Sequence, residues 1–327
     1  MIGFTKLPVK VGIIGCSSVA KRRFIPALLE SKKAKLQMIG SRDLSKAKIF
    51  SKLFNVNSFG SYEDVISSKT IDFVYISTPP TSHEYLLERA IKAKKHVLCE
   101  KPVLLSGANK FILDLAKSNG VRFFENYAYI AHPQHAKVKY FIEQNIIGPI
   151  MDVSVSYTYP FPLKTDIRFN SKIGGGVIND SLGYPVTLAR YLFGNLFEII
   201  SADITYSEEL GIDLMCKFEF LINQSIRYHA HVAMGADYFS GYKIQGQKGS
   251  IEVFRAFSVN EDHQAEIKLK TLSTETLIKI EPVNQFQLYL DYCIDRIGDT
   301  TQSEEQSILD TRYLMDAIIK MAKINKI

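Results

Sequence analysis

Five short apolar runs, at residues 9–14, 35–40, 73–77, 96–99 and 122–125, alternate with longer amphipathic stretches such as 18–31 and 82–93. Such alternation leaves few folds open. Runs rich in Val and Ile suit strands buried on both faces, and parallel strands must be joined by crossovers, which the helical stretches supply. A doubly wound parallel sheet is therefore expected as far as residue 125.

Beyond Pro149 the texture changes. Val153, Val155 and Tyr157 alternate with Asp152, Ser154, Ser156 and Thr158, the period of a strand with one wet face. Similar segments at 199–206, 214–220, 225–233, 242–245 and 266–272 imply a large, mostly antiparallel open sheet, closed by helices at 284–297 and 303–324. The 327 residues, 46% of them hydrophobic, can fill two cores. The expected fold is α/β, with a doubly wound N-terminal domain over 1–125 and an α+β domain over 126–327.

Residues 1–8 show no long apolar segment or cleavage site, and no later apolar run approaches the roughly 20 residues that span a bilayer. The expected setting is cytoplasmic, with no membrane partner. Cys16, Cys99, Cys216 and Cys293 lie far apart, which suits reduced thiols. The net charge of +6 is spread along the chain, so no nucleic-acid partner is expected, whereas small polyanions suit such a field. His132 and His135 have a metal-ligand spacing, but Pro133 argues against a regular helix there and no carboxylate or thiol nearby completes a set. No metal is expected.

The turn after the first run reads Gly15-Cys16-Ser17-Ser18-Val19-Ala20. A dinucleotide fingerprint asks for glycine at the tight turn, a second where the pyrophosphate approaches, and a small residue where helix meets strand. Gly15 and Ala20 satisfy the first and third demands; Ser17 replaces the middle glycine, so a plain strand-to-helix turn is the alternative. Position favours a ligand, because N–H groups at a helix N-terminus attract phosphate and the Ser17 or Ser18 hydroxyl can add a donor. Ser41-Arg42 ends the second run, where NAD-binding domains often place an acid for the ribose. With Lys46 one turn on and Arg23 in the first helix, the charge favours NADP(H) over NAD(H). Asp43, one residue late, keeps NAD(H) open; a surface helix cap is the plainer reading of Arg42 and Asp43.

Glu100-Lys101-Pro102 follows the run 96–99 at the carboxyl edge of the expected sheet, where open α/β sheets bind ligands. Thr78-Pro79 and His83 follow the preceding run, and Glu125-Asn126 the next. Thr78, Pro79, His83, Glu100, Lys101 and Asn126 are thus candidates for the nicotinamide end of a cofactor. Further on, Gly174-Gly175-Gly176 precedes Asp180 and Tyr184, which share a face if a helix starts there. An acid and a phenol could meet a substrate together. A surface carboxylate and a packed aromatic are the commoner outcome, and Pro185 complicates an unbroken helix.

The segments GIIGCSSVA, ISTPPTSHEYLLERAIKAKKHVLCEKP and GGGVINDSLGYPVTLARYLFG, in this order and spacing, resemble the Gfo/Idh/MocA family over nearly the whole chain. The resemblance implies a Rossmann domain followed by a domain on a large open sheet that commonly mediates oligomerisation, hence a homodimer or homotetramer. It also implies a cis Lys101–Pro102 peptide and a functional Asp180. Tyr184 falls where many members carry a catalytic histidine but the dihydrodiol dehydrogenase and sugar ketoreductase branches carry tyrosine. FENYAYIAHPQHAKV, which brings Tyr127 to the substrate, and the loop Thr165-Asp166-Ile167-Arg168-Phe169 are similar to the NADPH-dependent 3-ketoreductases of dTDP-deoxysugar biosynthesis. A nucleotide-linked keto sugar is the implied substrate.

Reduction of a ketone builds negative charge on its oxygen. Tyr184 is expected to supply the proton, its ordinary pKa of about 10 lowered by an ammonium such as Lys101, which can also donate to the oxyanion. Asp180 would orient a substrate hydroxyl or anchor Lys101. Arg168, with Lys164 close in sequence, would bind a sugar hydroxyl or a diphosphate oxygen. Tyr157, Tyr159 and Phe161 would stack on a base or simply pack in the sheet. Two other readings stand beside this one: an NADP-dependent aldose or trans-dihydrodiol dehydrogenase using the same residues, and a non-catalytic NADP(H) sensor, against which Lys101 and Tyr184 both count.

Overall fold

The structure, a computed structural model, describes residues 8–107 and 109–327. The expectation for residues 1–8 therefore falls, but for Pro8, outside the described residues. The chain divides into two units, the first running to Ala128 and resuming at Phe286–Arg312, the second comprising Tyr129–Gln285 and Tyr313–Ile327. An uninterrupted second domain from 126 onward was expected. The return of Phe286–Arg312 corrects it, because that segment packs on the first sheet: Glu305, fully buried, pairs with Arg122 at 2.5 Å.

In the first unit, β1 (Val9–Ile14), β2 (Ala34–Gly40), β3 (Phe59–Gly60), β4 (Phe73–Ile76), β5 (His96–Cys99) and β6 (Phe123–Glu125) form one parallel sheet in the order β3-β2-β1-β4-β5-β6. The connections reverse direction between β1 and β4, and the carboxyl ends of strands at such a reversal are where open α/β sheets bind ligands. Every residue of β4 and β5 is buried, as the unbroken apolar runs required. Helices α1 (Ile25–Glu30), α2 (Leu44–Leu53), α3 (Tyr62–Ser67), α4 (His83–Lys92) and α5 (Lys110–Asn119) make the crossovers. Leu87 and Ile91 of α4 join Val74, Ile76 and Val97 in one apolar cluster. Leu87→Ala there would cost about 2–5 kcal/mol.

Two prolines inside helical stretches are handled in the same way. A π-turn, Ala20–Phe24, comes just before Pro26, and its Ile25 N–H reaches back to Ala20 O. Another, Ile178–Leu182, comes just before α7 and Pro185. Proline offers no N–H and crowds the preceding turn, and widening that turn relieves the crowding without ending the helix. Pro185 therefore does not break the segment carrying Asp180 and Tyr184.

In the second unit, α6 (Pro133–Glu143) precedes β7 (Ile150–Tyr159), and α7 (Gly183–Phe193) leads to β8 (Phe197–Ser207), β9 (Ile212–Ile222), β10 (Ile226–Met234), β11 (Phe239–Gly246), β12 (Gly249–Phe254), β13 (Ala265–Thr271) and β14 (Glu275–Ile280). The chain then passes through α8 (Gln285–Asp295) and the first part of α9 (Ser303–Met321), which belong to the first unit, and returns to the second with the end of α9 and β15 (Lys323–Lys326). The sheet runs β14-β13-β12-β11-β7-β10-β9-β8-β15 and is antiparallel except at β7·β10 and β8·β15. Val153, Val155, Phe218, Phe220, Tyr228 and Val232 bury one face, while Ser154, Lys217, Glu219 and His229 line a groove on the other. None of the candidate site residues lines that groove.

Two expectations are corrected here. Pro133 starts α6 instead of preventing it, because a proline at the first helical position gives up an N–H that has no helical partner anyway, and His132 caps the helix by accepting from the Gln134 N–H. The closing helix stops at Met321, and its expected last residues form β15 beside β8. No described helix is long and apolar enough to cross a membrane.

Candidate active site

At the end of β1, Gly15 has φ of 108°, and a Cβ on it would lie 2.3 Å from the Ser77 carbonyl oxygen. Only glycine lets this turn lie against the end of β4. Ser17 caps the helix that follows: its Oγ accepts from the Ala20 N–H at 3.0 Å and is bonded to the Ser77 hydroxyl. That hydroxyl is committed to the turn, whereas Ser18 and Val19 are exposed where the helix begins. Burial pushes the Cys16 thiol up in pKa, against a hydrogen bond with Ser41 and the charge of Lys46, so these three side chains are neighbours. Asp43 caps α2: its Oδ1 accepts from the Ser45 N–H at 2.9 Å and the Lys46 N–H at 3.3 Å. The Ser45 hydroxyl, then those N–H groups, hold its carboxyl below the usual range. The carboxylate that kept NAD(H) open is thus tied to its own helix. Arg42 is exposed beside Tyr62, and Arg23 is half-buried in the π-turn.

At the carboxyl ends of β4, β5 and β6, the Lys101–Pro102 peptide is cis and Lys101 is half-buried. His83, expected at the cofactor, is 1% exposed, with its ring nitrogens 2.8 Å from the carbonyl oxygens of Thr78 and Pro102. Both of its polar atoms are committed to backbone, so it braces the two loops. Burial holds it below the ordinary histidine pKa. The Thr78 hydroxyl and the Pro79 carbonyl both accept from Ser82 Oγ at 2.8 Å. Glu100 Oε1 accepts from Tyr75 OH at 2.5 Å and from Asn126 Nδ2 at 2.6 Å, and burial pushes its carboxyl up against the pull of those bonds. Glu125 fixes the loop beyond the cis bond by accepting from the Val103 N–H at 2.8 Å. Asn126 is buried, and its Oδ1 has no partner among the described residues. Tyr127, expected at the substrate, is only 4% exposed, which leaves little of its ring to offer.

These residues fit a dinucleotide. A turn that excludes any Cβ, a helix N-terminus and a buried amide oxygen lacking a donor are what pyrophosphate and a polar ring substituent require.

In the second unit, three donors converge on one oxygen of Asp180: Tyr159 OH at 2.7 Å, Arg168 Nε at 2.9 Å and Ser181 Oγ at 3.1 Å. Charge-assisted bonds of this kind favour the ionised acid, so Asp180 is an acceptor. Burial and the Asp180 charge push the Tyr159 phenol far above its ordinary value, which keeps it a donor. Arg168 was expected to offer its fork to a sugar or diphosphate. Its Nε is taken by Asp180 and its Nη1 by both oxygens of Asp166, at 3.0 and 3.2 Å, so its charge is largely balanced inside the protein. Lys164 is exposed. Phe161 packs over Gly235 and near Phe169, with ring centroids 5.9 Å apart. Tyr184 is half-buried in a nest of Tyr157, Phe257 and Tyr129, with ring centroids at 5.0, 5.4 and 5.6 Å. The Tyr129 hydroxyl donates to the Tyr184 carbonyl at 3.0 Å and clamps the start of α7.

Sequence reasoning missed Tyr75, Ser181, Tyr129 and Phe257, and read Tyr159 only as a stacking or packing ring. Ser181 adjoins Asp180 and Tyr129 lies in FENYAYIAHPQHAKV, so each carried a local signal. Phe257 carried none, because only the sheet brings it to Tyr184. His132 and His135 are fully buried structural groups: His135 Nε2 lies 2.9 Å from Ala256 O and its Nδ1 3.0 Å from Tyr242 OH. No metal-binding cluster occurs among the described residues.

A Rossmann sheet with this glycine turn, followed by an open sheet that holds a fixed carboxylate and a nested phenol, defines a nicotinamide-dependent oxidoreductase. The chain belongs to the GFO/IDH/MocA family: residues 9–127 match its oxidoreductase, NAD-binding Rossmann fold model and residues 135–252 its C-terminal domain model. It is 30% identical over 266 residues to the dTDP-3,4-didehydro-2,6-dideoxy-alpha-D-glucose 3-reductase of Saccharopolyspora spinosa, covering 80% of each chain. KijD10, a 3-ketoreductase from Actinomadura kijaniata solved in complex with NADP and TDP-benzene, superposes with a TM-score of 0.93 at 25% identity, covering 98% of this chain and 99% of that one. More distant is the D-xylose 1-dehydrogenase (NADP(+)) 2 of Haloferax volcanii, 23% identical over 95% of this chain and 97% of the relative.

Proposed function

We propose that this oxidoreductase uses NADP(H) to reduce a ketone, at C3, on a nucleotide-linked deoxysugar, with Tyr184 as the proton donor. The observation that carries this reading is the end-to-end likeness to a 3-ketoreductase solved with NADP and a TDP ligand. The side chains agree with it. Exposed Arg42 and Lys46, with Asp43 turned to its own helix, suit a ribose 2′-phosphate.

The reduced nicotinamide supplies the hydride when bound. Tyr184 gives its phenolic proton to the carbonyl oxygen as charge develops there, and Lys101 stabilises the same charge by donation. Asp180, saturated with donors on one oxygen, has no proton to give; its role is to accept from a sugar hydroxyl and set the ring's orientation. Arg168 and Tyr159 act through Asp180.

The test is NADPH oxidation by the purified protein offered an enzymatically generated dTDP-3-keto-6-deoxyhexose, with NADH and free aldoses as controls. Rapid consumption with NADPH and the nucleotide sugar is expected. Activity confined to NADP reduction by a free aldose would keep the site and replace the substrate, since the aldose dehydrogenase reading uses the same residues.

A further inference from the structure

Asn126 follows β6 directly, and its backbone N–H donates to Cys99 O at 2.8 Å, which sets it beside Glu100 and Lys101. Its amide cannot be turned round. Nδ2 lies 2.6 Å from Glu100 Oε1, an oxygen that also accepts from Tyr75 OH, and a second oxygen placed there would face the carboxylate without a proton between them. The Tyr75–Glu100 pair therefore fixes which end of Asn126 faces away. That end, Oδ1, is buried in a residue only 5% exposed and has no partner among the described residues. Buried acceptors are almost always paired, so one left open at a ligand-binding sheet edge marks a place for a donor from the ligand.

We infer that Asn126 Oδ1 accepts an N–H from the carboxamide of the nicotinamide ring, with Glu100 and Tyr75 as the positioning residues that aim it. The inference rests on the reading that the first unit takes NADP(H), and it adds how the ring's polar substituent is recognised. A primary amide is the matching chemistry because it offers an N–H where Asn126 offers only a lone pair.

Calorimetric titration with NADP+ and with its 3-acetylpyridine analogue, in which a methyl replaces the carboxamide NH2, reads this without turnover. Wild-type protein should bind the analogue about 10-fold more weakly, the scale of one buried acceptor left unpaired. Asn126→Ala should bind NADP+ about 10-fold more weakly than wild type and should no longer distinguish the two ligands. The wild-type comparison stands even if the variant misfolds. Equal affinity of wild-type protein for both ligands would overturn the inference while leaving the NADP(H) reading intact, as would equal weakening of both by Asn126→Ala. Failure of NADP+ itself to bind would overturn both.

Discussion

Glu305→Ala tests what secures the returning segment to the first sheet. Glu305 is fully buried, and its carboxylate accepts from Arg122 Nε at 2.5 Å, Arg122 Nη2 at 2.9 Å and the Phe123 N–H at 3.2 Å. Arg122, 4% exposed at its side chain, also donates through Nη1 to the carbonyls of Arg296 at 3.0 Å and Asp299 at 2.6 Å. Removing the carboxylate leaves a buried guanidinium with its remaining donors unmet. Breaking a buried pair from one side costs ~3–5 kcal/mol, and the two surviving carbonyl bonds argue for the lower end. In a unit of this size each kcal/mol moves the melting temperature by roughly 2–4 °C, so a fall of about 6–12 °C is expected. Scanning calorimetry of wild type, Glu305→Ala and the Arg122→Met/Glu305→Leu double variant measures it. The double variant should regain most of the loss, because a well-packed apolar pair can match a buried ion pair. A single variant melting within about 2 °C of wild type would refute the reasoning, as would a double variant no better than the single.

Tyr184→Phe should lower turnover by ~10²- to 10⁴-fold with NADPH affinity nearly unchanged, the span of a lost general acid, and unchanged turnover would remove Tyr184 from the mechanism. Arg42→Ala should raise the dissociation constant for NADPH far more than for NADH in a binding titration; equal losses would undo the 2′-phosphate assignment. Burial brings His135 down to about 3, while in the unfolded chain it titrates near its ordinary value of about 6.5. Between those values the unfolded chain takes a proton that the folded one refuses. The stability this histidine preserves above pH 6.5 is therefore lost as pH falls, by about 2 kcal/mol at pH 5. Urea unfolding at pH 7 and pH 5 should show a shallower loss for His135→Gln than for wild type, and equal slopes would exclude the histidine as the cause.

The sequence by itself determined the parallel sheet, the change to an open sheet after Pro149, and the segments that carry the site. Those signals are local: unbroken apolar runs mark strands buried on both faces, and a glycine between an apolar strand and a helix start marks a candidate phosphate turn. It also brought Lys101, Asp180 and Tyr184 forward through resemblance. The tertiary structure decided the partners. The Asp43 cap is local, made to Ser45 and Lys46, and was legible as a helix cap. That His83 braces two loops, that Asp180 takes the Arg168 Nε and that Asn126 keeps one oxygen open depend on how separate segments meet, which no spacing along the chain encodes. The return of Phe286–Arg312 was hidden for the same reason. A helix pattern states which face is apolar, not which sheet will cover it; here that choice falls to a buried pair whose members, Arg122 and Glu305, stand far apart in the sequence.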